Sequence, residues 1–384
     1  MKISKLISGI ILLAIITGCG GENKQSTDEI ITVDVTANYP EKELILQDIM
    51  DVEYIPLETT DEFLTKGNVK AIGKDILLIT NQSSDGDIFV FDRTGKGLRK
   101  INRFGQGGEE YSHASEIILD EDNNEMFVID HPAEKILAYD LYGNFKRSFK
   151  FVETSRYSGI FNYDQDHLIC YKGYTATMET EESCHLIISK QDGSITKEIK
   201  IPVNGFKSPV IMEEDLVVMP FFYQTAPYND NWAITRTSSD TIYNYLPDGS
   251  INPFIVRTPS IQSMDPEVFL YPTVLTDRYY FMYVMKKELD YERMKFPGLI
   301  YLVYDKQENA TFKYVIYNDD FSNKEQVYFW SAAVDKDIAT WQKLEAYQLV
   351  ESNEKGELKG KLKEIAAELN EESNPVIMLV KHKK

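Results

Sequence analysis

Tyr139-Asp140-Leu141-Tyr142-Gly143 ends a run of strand-forming residues with an aspartate and a glycine, the composition of a tight turn. The same signature recurs along the chain, and its last residues are separated by 48, 50, 56 and 60 positions. The other copies are Phe91-Asp92-Arg93-Thr94-Gly95, Ser189-Lys190-Gln191-Asp192-Gly193, Tyr245-Leu246-Pro247-Asp248-Gly249 and Tyr304-Asp305-Lys306-Gln307-Glu308-Asn309. A period of roughly 40–50 residues with about four strands per unit is typical of the blades of a β-propeller.

Each repeat predicts four strands separated by turns. In the second repeat the predicted strands are Glu116–Leu119, Met126–Ile129, Ile136–Tyr139 and Phe145–Phe151. Asp, Asn, Gly and Pro residues lie between them, as turns require. Five such units cover residues from about 68 to 318.

The sixth unit is irregular. We expect it to begin with the strands Val327–Trp330 and Ile338–Trp341, followed by a helical insertion at about residues 356–370 and the strand Val376–Val380. Its fourth strand is missing at the C-terminus, whereas Val52–Leu57 is an unassigned strand near the N-terminus. The sequence therefore predicts an all-β fold, a six-bladed β-propeller whose N- and C-terminal strands close the last blade.

Three segments resemble a known family. They are Glu53-Tyr54-Ile55-Pro56-Leu57-Glu58-Thr59-Thr60, Phe104-Gly105-Gln106-Gly107-Gly108-Glu109-Glu110-Tyr111 and Asn374-Pro375-Val376-Ile377-Met378-Leu379. These segments are similar to those of the NHL-like six-bladed β-propeller lipoproteins of Bacteroidetes, over nearly the whole mature chain. Gly107-Gly108 departs from that family, which has Gly-Pro there. The resemblance implies the fold and an anchored location, and little about activity.

The N-terminus predicts an exported lipoprotein. Lys2 and Lys5 precede the apolar run Leu6–Ile16, which is too short to span a membrane. Ile16-Thr17-Gly18-Cys19 then resembles a bacterial lipobox, in which the cysteine is acylated. We expect a signal peptide at residues 1–18, a flexible linker at 19–30 and the propeller at 31–384. The alternative is an ordinary signal peptide with an incidental cysteine.

Composition restricts the partners. The chain carries a net charge of −20, which would repel a phosphate backbone, so nucleic acid is not an expected partner. The anchor instead predicts a cell-envelope location, with the outer membrane favoured, on its periplasmic or surface side.

The chain shows no catalytic or metal-binding signature. Its five histidines lie at separate positions, without paired ligand spacing. No cofactor is predicted, although a propeller channel can hold a cation through backbone carbonyl groups. Cys170 and Cys184 lie on either side of a polar segment, and the sequence leaves open whether they form a disulfide or remain buried free thiols.

Topology predicts where a ligand would bind. Loops between the second and third strands of each blade share one face with the blade-to-blade connections, and we call this the connection face. Three of these loops are predicted to be long, namely 172–183, 287–297 and the helical insertion. The candidate contacts on this face are Tyr111, His113, His131, Tyr174, Tyr291 and Arg293.

Three functions are consistent with these features. The favoured one is a binding module at the cell envelope whose ligand is a glycan or a peptide. One alternative is a propeller enzyme, a lyase or hydrolase with a channel-bound metal. The other is a structural partner in a complex of envelope proteins.

Overall fold

Six sheets arranged around a central axis form the body of the protein in a computed structural model. The structure describes residues 30–383 except 83, 152–155, 174–183, 214–215, 219, 221, 290–297, 330 and 332. In several pairs of neighbouring blades the first strands contact one another near that axis. This arrangement is the predicted six-bladed β-propeller.

The N-terminal segment reaches three blades before the first blade begins. It contains β1 (Ile31–Asp34), β2 (Glu41–Ile45), α1 (Leu46–Ile49) and β3 (Met50–Pro56). Strand β1 pairs in parallel with the outer strand of blade 4, and β2 does the same on blade 5. Both therefore extend sheets that already have four strands.

Blades 1 to 3 are four-stranded meanders. Blade 1 consists of β4 (Asn68–Ile72), β5 (Ile76–Thr80), β6 (Asp87–Asp92) and β7 (Gly97–Asn102). Blade 2 consists of β8 (Glu116–Asp120), β9 (Glu125–Asp130), β10 (Lys135–Asp140) and β11 (Phe145–Lys150). Blade 3 consists of β12 (Arg156–Asn162), β13 (His167–Gly173), β14 (Cys184–Ser189) and β15 (Ile195–Ile199).

The second half of the propeller is less regular. A hairpin of β16 (Ile211–Glu213) and β17 (Leu216–Val218) precedes blade 4, which consists of β18 (Thr225–Tyr228), β19 (Asn231–Ile234), β20 (Thr241–Tyr245) and β21 (Ile251–Thr258). A 3₁₀ turn (Ile261–Ser263) leads to blade 5, which consists of β22 (Val268–Leu275), β23 (Tyr279–Lys286), β24 (Ile300–Asp305) and β25 (Ala310–Asn318), with β26 (Glu325–Val327) against β25. Blade 6 consists of β27 (Ile338–Leu344), β28 (Val376–His382) and β3, with α2 (Ala346–Glu354) and α3 (Gly360–Ala366) between β27 and β28.

The core lies between the blades. Each pair of neighbouring blades encloses one cluster of buried apolar side chains. Strands such as β5 are buried along their whole length because neighbouring blades cover both of their faces. Such strands are apolar throughout instead of alternating between apolar and polar residues.

The repeated turn joins the third and fourth strands of a blade. In blade 1, the Asp92 carboxylate accepts hydrogen bonds from the backbone N–H groups of Thr94 (2.8 Å) and Lys96 (3.1 Å). Gly95 follows with φ of +89°, and a Cβ atom there would lie 1.9 Å from the carbonyl oxygen of Pro56. Glycine is thus required both for the backbone conformation and for the approach of blade 6.

The two chain ends close the propeller as predicted. Seven residues of β3 pair with seven of β28 in antiparallel register, from Met50 opposite His382 to Pro56 opposite Val376. Just before β28, the buried Asn374 side-chain amide donates to the carbonyl groups of Glu58 and Phe63, at 2.6 Å each. These bonds hold the connection into blade 1 against the last blade.

The predicted first strand of blade 6 is partly misplaced. Val327 belongs to β26, which pairs with blade 5. The Ala333 N–H then donates to the Thr273 carbonyl on the first strand of blade 5, so the chain has returned to the axis before β27 begins. The His382 N–H donates to the Asp337 carbonyl just as the Lys190 N–H donates to Asp166 in blade 3, which makes β27 the second strand of blade 6 and β28 the third. The insertion therefore joins the second and third strands and leaves on the connection face. It packs between blades 5 and 6, where Leu358 bridges to Phe321.

Candidate functional site

Side chains from three blades converge at the channel mouth on the connection face. Lys70 lies on the first strand of blade 1, and Glu116 is the first residue of blade 2. His131 lies in the loop after β9, and Tyr223 shortly precedes the first strand of blade 4. We refer to these four residues as the channel-mouth cluster.

Contacts join Lys70, Glu116 and His131. The Lys70 ammonium donates to the carbonyl oxygen of Ser115 at 2.8 Å, and its charge interacts with the adjacent carboxylate of Glu116. His131 Nε2 lies 3.2 Å from Glu116 Oε1. The cluster thus brings an ammonium, a carboxylate and an imidazole together in a partly buried site.

Burial shifts the pKa values of two groups in the cluster, Lys70 and Tyr223. It lowers the pKa of Lys70 by disfavouring the charged ammonium, and the negative charge of Glu116 offsets part of this effect. Burial also raises the pKa of Tyr223, and Glu116 raises it further by repelling a phenolate. The Glu116 charge therefore acts on groups from two other blades.

The His131 ring is held in place. With the proton on Nε2, the imidazole donates to Glu116 and leaves Nδ1 as an acceptor. Its edge packs on Phe151, with ring centroids 5.7 Å apart. The Nδ1 atom is buried and has no hydrogen-bond partner among the residues that the structure describes.

A buried carboxylate fixes the loop that carries His131. Asp130 is fully buried, and it accepts from the backbone N–H groups of Ser112 at 2.6 Å and of Ala133 at 3.2 Å. These bonds join the β9–β10 loop to the connection between blades 1 and 2. Both segments that border the mouth are therefore fixed by the same carboxylate.

The predicted contact residues divide into three groups. His131 belongs to the cluster, and His113 is half-buried three residues before Glu116. Tyr111 is instead fully buried, because its ring packs against Tyr139 and its hydroxyl donates to the carbonyl of Gly86 at 2.6 Å. It is a packing residue and not the exposed contact expected. Tyr174, Tyr291 and Arg293 lie outside the described residues, as does Cys19.

Both remaining cysteines are buried free thiols. They lie on adjacent strands, but Cys170 is opposite Leu186 and Cys184 is opposite Lys172. Burial raises the pKa of both thiols. The upward shift is larger for Cys170 because its thiol is completely buried. The structure therefore has the second of the two alternatives left open by the sequence.

An open cavity of about 550 Å³ lies on the same face, between blades 4 and 5. Its polar lining includes Thr36, Ser263, Asp265 and Lys286. In the part of the chain that the structure describes, no three histidine, cysteine or acidic side chains are grouped closely enough to hold a metal ion. None of the helices in that part is long and apolar enough to cross a membrane.

Comparisons with known proteins agree with this architecture. The sequence family DUF5128, described as a 6-bladed beta-propeller, matches residues 21–339. A protein from Bacteroides fragilis, named as exported, has a similar structure with a TM-score of 0.60 and 19% identity, covering 93% of this chain and 100% of that one. A member of the DUF4221 family from Bacteroides vulgatus has a TM-score of 0.45 and 11% identity, covering 87% and 98% of the two chains.

Virginiamycin B lyase from Staphylococcus aureus has a TM-score of 0.38 and 11% identity, covering 87% of this chain and 100% of that one. No curated protein matches this chain. At 19% identity, the similarity to the Bacteroides fragilis structure shows the fold alone.

Proposed function

This chain belongs to the DUF5128 family of six-bladed β-propellers, and from that premise we propose that it is a binding module of the cell envelope. A lipid on Cys19 anchors it, and a glycan or a peptide binds at the mouth of its central channel. The leader sequence and the lipobox at Cys19 support the location.

The channel-mouth cluster is the observation that carries the proposal. Lys70, Glu116 and His131 form one connected polar group at the end of a rigid channel, and Tyr223 adds a phenol. Sites for small or extended ligands combine such convergent polar groups with fixed backbone geometry. Hydroxyl and amide groups of a glycan or a peptide can bond to an ammonium, a carboxylate and an imidazole alike.

The Glu116–His131 contact also favours a second candidate function. A carboxylate that orients an imidazole is a common arrangement for general acid–base catalysis. An enzyme acting at this site would convert the compound that it binds, so mass spectrometry of the bound compound after incubation separates the two functions.

A pair of lysines in blade 1 provides the test. Glycan and peptide libraries are screened against the protein from residue 20 onward, and hits are measured by calorimetry with Lys70→Met and Lys74→Met variants. Lys70 lies in the channel, whereas the Lys74 side chain is 72% exposed on the opposite face. We expect Lys70→Met to weaken binding at least tenfold (roughly 1.4 kcal/mol), because it removes a charged donor from the site.

The Lys74→Met variant should bind like the unmodified protein. Hits that bind both variants equally well would show that the ligand lies elsewhere, and a screen without hits would argue against the binding function.

A further inference from the structure

A β-bulge places Lys70 in the channel-mouth cluster. The pairing of β4 with β5 skips this residue, because Val69 and Ala71 pair with consecutive residues of β5. A bulge bends the strand and redirects the side chain of its extra residue. The Lys70 Nζ atom reaches blade 2, where it donates to the carbonyl oxygen of Ser115 at 2.8 Å. The irregular strand therefore carries this amine toward the neighbouring blade.

The surroundings of Lys70 favour the neutral amine, which is the nucleophilic form of a lysine. Burial disfavours the charged ammonium and lowers the pKa of Lys70, although the negative charge of Glu116 opposes this shift. Val69 and Ala71, on either side of it in the chain, are apolar and buried. Lysines that react with carbonyl compounds are activated by such partial desolvation.

An acid–base pair lies beside the amine. Glu116 directly follows Ser115, the residue that holds the Lys70 nitrogen. The carboxylate in turn lies 3.2 Å from His131 Nε2. An imidazole can take up and release a proton near neutral pH, and a carboxylate fixes its orientation. A nucleophile and a group that transfers protons are thus brought together from two blades.

We propose that Lys70 captures the open-chain aldehyde at the reducing end of a glycan as a reversible imine, an inference that rests on the proposed ligand site at the channel mouth. The Lys70 nitrogen attacks the aldehyde carbon and forms a C–N bond. Both protons of the amine pass through the Glu116–His131 pair to the former carbonyl oxygen, which leaves as water. A C=N double bond remains, and hydrolysis reverses the reaction without any oxidant or reductant.

This chemistry selects between the two ligand classes of the proposed function. A glycan carries an aldehyde at its reducing end, and an amine condenses with it. The amide carbonyl groups of a peptide do not react in this way. Hydroxyl groups next to the aldehyde can donate to the Glu116 carboxylate or bond to the Tyr223 phenol. The site therefore fits a sugar better than a peptide.

The test uses D-glyceraldehyde as the probe, a sugar too short to hide its aldehyde in a ring. The protein from residue 20 onward is incubated at neutral pH with this probe and sodium cyanoborohydride, which reduces an imine to a stable amine. Peptide mass spectrometry then measures the labelling rate of each lysine. Lys66 and Lys74, both exposed, are controls in the same sample. We expect Lys70 to be labelled at least tenfold faster than either control, although it is the most buried of the three.

The variant His131→Gln tests the acid–base pair. Its amide can still donate to Glu116 but cannot transfer a proton. We expect labelling of Lys70 to slow at least tenfold, while Lys66 and Lys74 keep their rates. Circular dichroism confirms that the variant is folded, and the comparison of lysines in the unmodified protein needs no variant. An unchanged rate at Lys70 in the folded variant would overturn the role of the pair.

Labelling of Lys70 no faster than that of the exposed lysines would overturn the proposal. If a glycan nevertheless binds with an affinity that depends on Lys70, the proposed binding function stands and only the imine is wrong. If Lys70 is labelled selectively but the screen finds no glycan or peptide, the amine reacts with small aldehydes alone. Both the capture of a glycan and the proposed binding function would then be wrong.

Discussion

At the scale of single residues, His185 shows how the space between two blades determines the protonation of a side chain. The ring is completely buried on β14, and Nε2 lies 3.0 Å from the carbonyl oxygen of Gln224 before blade 4. Burial lowers the His185 pKa to about 4 because a charged imidazole would lose its hydration, and the nearby Arg236 charge lowers it further. The Gln224 carbonyl opposes this shift by accepting the Nε2 proton.

This low pKa predicts a loss of stability in acid. Between the ordinary histidine pKa of 6.5 and about 4, the unfolded chain binds a proton at His185 that the folded chain does not. The free energy of unfolding therefore falls as the pH falls through that window, by up to about 3 kcal/mol. Guanidinium unfolding from pH 7.5 to 4.5 measures this for the unmodified protein and for His185→Gln, whose amide does not titrate.

We expect the difference in stability between the two proteins to shift in favour of His185→Gln as the pH is lowered. Every other titrating group is common to both proteins, so the comparison isolates this ring. Parallel stability curves across the window would contradict the assignment.

At the scale of elements, buried ion pairs join neighbouring blades. The Lys190 ammonium, after β14 in blade 3, lies 2.6 Å from Asp120 at the end of β8 in blade 2. It also donates to the carbonyl oxygen of Asp164 at 2.8 Å. Both charged side chains are almost completely buried, with 5% and 6% exposure. Removing one partner of such a pair leaves the other charge buried without compensation.

Two lysines that reach blade 2 from opposite sides allow a controlled test. Lys190→Met should lower the free energy of unfolding by about 3–5 kcal/mol, because it leaves the Asp120 carboxylate buried without its ammonium partner. Lys74 forms a 3.0 Å pair with Asp122, but these side chains are 72% and 78% exposed. Lys74→Met should therefore leave the free energy of unfolding close to that of the unmodified protein, because water and salt screen this exposed pair. Urea titration of both variants measures the two changes in the free energy of unfolding. Equal losses of stability would show that burial of the Lys190–Asp120 pair is not the cause of the difference.

The start of blade 6 shows why strand pairing limits prediction from sequence. The apolar aromatic run at Val327–Trp330 has strand composition, yet Val327 pairs with Ile316 on β25 of blade 5. Pairing partners depend on tertiary contacts that local composition does not encode. The insertion is less affected, because α2 and α3 follow β27, the second strand of blade 6, and so leave on the connection face and pack between blades 5 and 6.

At the scale of the whole molecule, the repeat and its closure were predictable because their signals are local. An aspartate followed three residues later by a glycine, as at Asp140 and Gly143, favours a turn. The strands near the two chain ends had no other predicted pairing partner, so their pairing with each other could be predicted. The channel-mouth cluster was largely missed because it unites separate blades. One usable signal existed, since Lys70 is a charge within the mostly apolar strand Asn68–Ile72 at the channel.

The N-terminal strands differ in what their removal should do to the propeller. Strand β1 extends a complete blade and buries Ile31 and Val33, with Val35 buried just after it, whereas β3 covers the edge of β28 along seven residue pairs. A chain that begins at residue 37 should unfold cooperatively with Tm lowered by roughly 5–10 °C. A chain that begins at residue 58 should show no cooperative transition, because β28 then loses its partner strand and the ring stays open. Calorimetry of both chains measures this difference.

Cooperative unfolding of the shorter chain would show that the other five blades fold without closure. The pairing of β3 with β28 would then be a consequence of the fold and not a requirement for it.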